Sequence, residues 1–94
     1  MAFKPKSAAE TKAADLGLAL ARIAESEGAP VHIGIERIRR TSPRLTPLAI
    51  GQMVRRYRAI VEAGLAERGF ELIDYADQGP GRGMEFVIGE ADRL

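Results

Sequence analysis

Residues 46–64, TPLAIGQMVRRYRAIVEAG, decide how the rest of the chain is read. Thr46 is a residue type that caps a helix N-terminus, and Pro47 suits the first helical position, where a missing N–H costs nothing. Gly64 is the type that tolerates a left-handed conformation just past a helix end. Between them Ile50, Met53, Val54, Tyr57, Ile60 and Val61 recur at three- and four-residue steps. That spacing predicts a helix over 46–63 with one apolar stripe. Its opposite face carries Gln52, Arg55 and Ala59, flanked by Gly51, Arg56, Arg58 and Glu62. Arginine and glutamine can grip phosphates and reach base edges in a DNA major groove. Taken alone, the same helix also reads as a core helix with a solvated basic face. Gly51 inside it costs about 1 kcal/mol against alanine, unless it marks the true helix start or a close approach of DNA.

Charge supports the first reading. The net charge of +1 is unevenly spread over the 94 residues. Residues 1–30 balance to zero, whereas residues 31–60 hold seven arginines (37, 39, 40, 44, 55, 56, 58) against Glu36 alone. Residues 61–94 are net acidic, with eight carboxylates against three arginines. A central cationic block of this kind attracts polyanions. Its cations are all arginine, which favours bidentate phosphate or guanine contacts, although a GC-rich genome gives the same bias. The chain is one domain with a modest core. No apolar run approaches the ~20 residues of a membrane span, the first ten residues lack a signal-peptide core, and cysteine is absent. The expected location is cytoplasmic.

In chain order, residues 1–6 read as a basic tail. Ser7 and Glu10 form a capping box for a helix over 7–27 that Gly28 and Pro30 stop. Ala9, Ala13, Leu16, Leu20, Ile23 and Ala24 make its core stripe. Leu18, with Ala14 and Ala21 beside it, falls away from the stripe centre. In so small a chain a second buried face within one subunit is not expected, and a homodimer contact through the Leu18 face is the physical alternative. Residues 31–33 are β-prone. A short helix over 34–41 follows, with Ile35 and Ile38 inward and Glu36, Arg37, Arg39 and Arg40 outward, ended by Ser42-Pro43. Two helices joined by a short polar connector, the second bearing arginines, make a helix-turn-helix arrangement. Residues 65–88 then switch to a period near two, with Phe70, Leu72 and Tyr75 on one arm, Met84, Phe86 and Ile88 on the other, and QGPGRG at 78–83 as the tip. Ile73 breaks the alternation. Residues 89–94 read as an acidic tail.

This order resembles that of the winged helix-turn-helix superfamily over residues 8–88. The most specific piece is VRRYRAIVEAGLAERG, residues 54–69, followed by a hairpin. It is similar to the junction of recognition helix and wing in MarR-like and PadR-like bacterial regulators, where Val61-Glu62-Ala63-Gly64-Leu65 fits the helix end. The resemblance implies an α+β fold: three helices plus a C-terminal β-hairpin wing. It also implies that Gln52, Arg55 and Arg56 face the major groove and that Arg82 at the wing tip reaches a phosphate or the minor groove. The chain is shorter than a typical MarR-like protein, and its connector before the basic helix is longer.

Other chemistry finds little support in the residues. His32 is the single histidine, with no cysteine to share a metal. Ser7, Ser26 and Ser42 have no recognisable base, and 79–83 is not followed by the Lys-Ser/Thr of a phosphate loop. Tyr75 and Phe86 are candidates for stacking on single-stranded bases, though core packing is the commoner job. The expectation is therefore a non-enzymatic protein without cofactor or metal that binds double-stranded DNA, as a transcriptional regulator or a plasmid or phage control protein. The expected contacts are Arg37, Arg39, Arg40, Arg44, Thr46, Gln52, Arg55, Arg56 and Arg82. A winged-helix module that docks on an acidic protein surface is the main rival, and RNA binding a third.

Overall fold

Ser7 starts the first helix by accepting a hydrogen bond from the Glu10 N–H at 3.2 Å, as the capping pattern predicts. The computed structural model describes residues 7–77 and 84–91. The expected tail at 1–6, the hairpin tip at 78–83 with Arg82, and residues 92–94 lie outside them. Helix α1 (Ala8–Glu27) ends at Gly28, whose φ of 85° uses the freedom glycine has there. Strand β1 (Val31–Gly34) and helix α2 (Ile35–Thr41) follow, then α3 (Pro47–Arg56), α4 (Arg58–Ala66), β2 (Phe70–Asp77) and β3 (Met84–Glu90). The described residues thus form an α+β fold of four helices and one three-stranded antiparallel sheet in the order β1-β3-β2. Val31 pairs with Ile88 on one side of β3, and Leu72 pairs with the same residue on the other.

The single helix expected over 46–63 is two helices. Tyr57, at φ −126° and ψ 35°, leaves the helical region and separates α3 from α4. Its N–H still donates to the Met53 carbonyl at 2.8 Å, and its own carbonyl accepts from the Ile60 N–H at 3.0 Å. The break therefore orphans few backbone groups, and the apolar stripe runs on across it: Ile50, Met53, Val54 and Val61 are buried, Tyr57 and Ile60 partly so.

Gly64 does not end the helix. It sits inside α4, which continues to Ala66, and the left-handed glycine is Gly69 at φ 81°. The hairpin accordingly begins at Phe70 rather than residue 65. What Gly64 provides is proximity: a Cβ there would lie 3.3 Å from the Gly17 Cα. A Cβ on Gly17 would come within 2.6 Å of the Val61 carbonyl oxygen. The two glycines let α1 and α4 cross backbone to backbone.

That crossing also corrects the reading of α1. Gly17, Ala21 and Glu25 recur at four-residue steps, so they share a face. Ala21 is fully buried, and Glu25 pairs at 2.6 Å with Arg68, just beyond α4. The Ala21 side of the second apolar face of α1 is thus covered within one subunit. Leu18 and Ala14 are left half-buried.

The hairpin alternation holds on β3, where Met84, Phe86 and Ile88 are buried. Phe86 is fully buried against the helices and has no face free for a base; Tyr75 stacks beside it at 6.3 Å. The strand runs through Gly89 and Glu90, which the sequence reading placed in a tail, and the Ala91 N–H bonds to the Gly69 carbonyl at 2.9 Å. The break in alternation at Ile73 is a bulge between Leu72 and Asp74. Ile73 lies over Gly89, where a Cβ would meet its Cδ1 at 2.4 Å. No helix among the described residues is long and apolar enough to cross a membrane.

Gly51 has neither a left-handed φ nor a crowded Cβ position; the nearest atom would be the Met84 Sδ at 3.5 Å, an ordinary contact. Gly51→Ala is expected to raise stability by about 0.5–1 kcal/mol through helix propensity alone, read as an upward shift of the chemical-denaturation midpoint. A lower midpoint would show that the backbone at this position needs glycine.

Candidate nucleic-acid interface

Helix α3 is anchored before it begins. The Thr46 hydroxyl accepts from the Ala49 N–H at 3.1 Å, and Pro47 occupies the first turn. Leu45, just before the cap, and Ile50, in the second turn, are both buried in the core. These are the positions of a hydrophobic staple, which fixes the angle at which the chain enters the helix. One face of α3 is thereby pinned through Ile50, Met53 and Val54, and the other is left outward.

The outward face carries Leu48, Gln52, Arg55 and Arg56, all exposed. Leu48, Gln52 and Arg55 stand at i, i+4 and i+7, one row along the helix. The sequence reading placed Gln52, Arg55 and Arg56 there but did not mark Leu48. The signal was available, because extending the same row one turn towards the N-terminus lands on residue 48. Arg44, in the connector, is also exposed, as is Thr46. Thr46 uses one hydroxyl lone pair for the cap and keeps its proton as a donor.

The α2 arginines divide. Arg39 and Arg40 are exposed. Arg37 turns back onto the body of the protein, where it pairs with Glu27 at the end of α1 and donates to the His32 carbonyl at 3.4 Å. Arg37, Arg40 and Arg22 line an open cleft of about 250 Å³ between α1 and α2, together with Ile23, Ser26, Glu27 and Thr41. Arg58, part of the same cationic block, is also committed. Its Nε donates to Glu62 at 2.5 Å, which holds the guanidinium pKa above its ordinary value, and its guanidinium carbon lies 5.4 Å from the Tyr75 ring centre. Among the described residues Arg39, Arg40, Arg44 and Arg56 form no ion pair. Cations left without an internal partner can be given to an external anion with no native pair to break.

The lone histidine is a surface group, 68% exposed, with its Nδ1 3.0 Å from Glu85 Oε1 across the β1–β3 pair. An exposed pair of this kind contributes at most about 1 kcal/mol. Among the described residues no group of three or more His, Asp or Glu side chains is placed to hold a metal ion. No protein-family model, curated protein or solved structure matches the chain.

Proposed function

We propose that the chain is a winged helix-turn-helix protein that binds duplex DNA, with α3 as the helix presented to the major groove and β2–β3 as the wing. One observation carries the reading: α3 buries Ile50, Met53 and Val54 and leaves Gln52, Arg55 and Arg56 outward on a rigidly capped helix. The antiparallel β1-β3-β2 sheet, with its first strand inserted between α1 and α2, supports it. Arg44, Arg39 and Arg40 would lie along the phosphate backbone, and Arg82 would reach from the wing. Arg37, already paired with Glu27, is the weakest member of the expected set. The activity is occupancy of a site, as for a transcriptional or plasmid or phage control protein, with no catalytic step.

The test is titration of a labelled mixed-sequence duplex by fluorescence anisotropy over a range of salt. With about five phosphate contacts, log affinity should fall against log salt with a slope of about −4 to −5. Absence of binding at low salt would transfer the arginine face to an acidic protein partner.

A homodimer completes the proposal, since small DNA-binding domains commonly cover two half-sites as a pair. The half-buried Leu18 and Ala14 are the part of α1 left for such a contact. Leu18→Glu should then sediment as a monomer where the wild type is dimeric; a dimer that survives the substitution places the interface elsewhere.

A further inference from the structure

Among the described residues two large apolar side chains are exposed, Leu48 at 73% and Ile73 at 53%. The fold itself accounts for Ile73, which lies over Gly89 on the outer face of the sheet. It does not account for Leu48. The burial of α3 is carried by Ile50, Met53 and Val54, and the entry of the chain by Leu45. Leu48 contributes to neither. It is held outward on the most constrained turn of the helix, between the Thr46 cap with Pro47 on one side and Gln52 on the other.

We propose that Leu48 is a specificity-determining residue that packs against the 5-methyl group of a thymine in the bound duplex. The inference rests on the DNA-binding reading above. Gln52 follows Leu48 one turn on along the same row of the helix, and Arg44 and Arg56, just before and at the end of α3, are exposed as well, so whatever meets this face must also satisfy cations and an amide. A duplex does both. Phosphates meet the arginines, and the major-groove edge of DNA offers one apolar group, the thymine methyl. A wholly apolar protein pocket would leave the same arginines desolvated against it. Four helical residues advance about 6 Å, close to two base-pair steps of about 3.4 Å. Leu48 and Gln52 are thus far enough apart to meet different base pairs, the first a thymine by its methyl and the second an adenine by its amide-compatible edge. The recognised half-site is expected to contain A·T pairs at both.

The experiment begins with selection of a preferred duplex from a randomised pool by the wild-type protein. Each thymine of that duplex is then replaced singly by deoxyuridine, which removes only the methyl group. Wild type and Leu48→Ala are titrated against the set at fixed salt. At one thymine the replacement should weaken wild-type binding about four-fold, the value of one buried methyl group, and should leave Leu48→Ala unaffected. Leu48→Ala should unfold at the wild-type temperature, because the side chain lies outside the core. If the selected duplex shows no deoxyuridine-sensitive thymine, or the sensitivity persists in Leu48→Ala, the assignment of Leu48 fails while DNA binding stands. If no duplex in the pool is retained, the DNA-binding reading falls and the assignment with it.

Discussion

Gly17→Ala should unfold on the order of 10 °C below the wild type. The added methyl would sit 2.6 Å from the Val61 carbonyl oxygen and 3.3 Å from both the Val61 carbonyl carbon and the Gly64 Cα. These obstacles are backbone, so no rotamer change relieves them, and α4 must move away from α1. Overpacking of a close-packed site costs about 1–3 kcal/mol. Alanine returns about 1 kcal/mol as a better helix former, which at the upper end of that range, where unyielding backbone atoms place this site, leaves a net loss of about 2 kcal/mol. For a domain of this size each 1 kcal/mol moves Tm by about 4–8 °C. Gly64→Ala meets its nearest atoms at 3.3 and 3.4 Å and should lose less. A thermal scan in which Gly17→Ala matches or exceeds the wild type would mean that the two helices are not in backbone contact.

The second large effect concerns binding. The double variant Arg55→Ala/Arg56→Ala should flatten the salt dependence of duplex affinity by about two units of slope. If both guanidinium groups touch phosphates, losing their counterion release weakens binding on the order of 100-fold at 0.1 M salt. Both side chains are exposed, so folding should change by no more than about 0.5 kcal/mol. Unfolding midpoints measured alongside the titrations separate lost contacts from lost structure. An unchanged slope in a folded double variant would remove this face from the interface.

Several elements were legible because their signals are local. Ser7 and Glu10 announce the start of α1, Gly28 and Pro30 its end, and the alternation of Met84, Phe86 and Ile88 gives β3 its buried face. The break at Tyr57 was not legible. It contains neither glycine nor proline, and it displaces the backbone without disturbing the three- and four-residue rhythm of the apolar stripe. Gly64 misled for a different reason. A glycine before a change of period looks like a helix terminator, but its actual requirement is set by Gly17, 47 positions earlier in the chain, through a crossing only the fold creates. The candidate interface divides in the same way. Gln52, Arg55 and Arg56 follow from the helical wheel, whereas the diversion of Arg37 to Glu27 depends on how α2 sits against the end of α1. Arg82, expected at the hairpin tip, lies outside the described residues.

The sheet order has a consequence for how the protein is made. The central strand is β3, and it is the last of the three in the chain. Val31 waits for Ile88 and Phe70 for Glu90, so among the described residues β1 and β2 each find a partner strand only once β3 has been made. A ribosome-bound chain that has emerged as far as the end of β2 holds its helices and two strands with unpaired edges. Such edges are templates for pairing with other chains. Closing β1 onto β3 across the intervening helices is also the slow, non-local kind of contact. The interval before β3 arrives is therefore when this chain most needs protection from its neighbours.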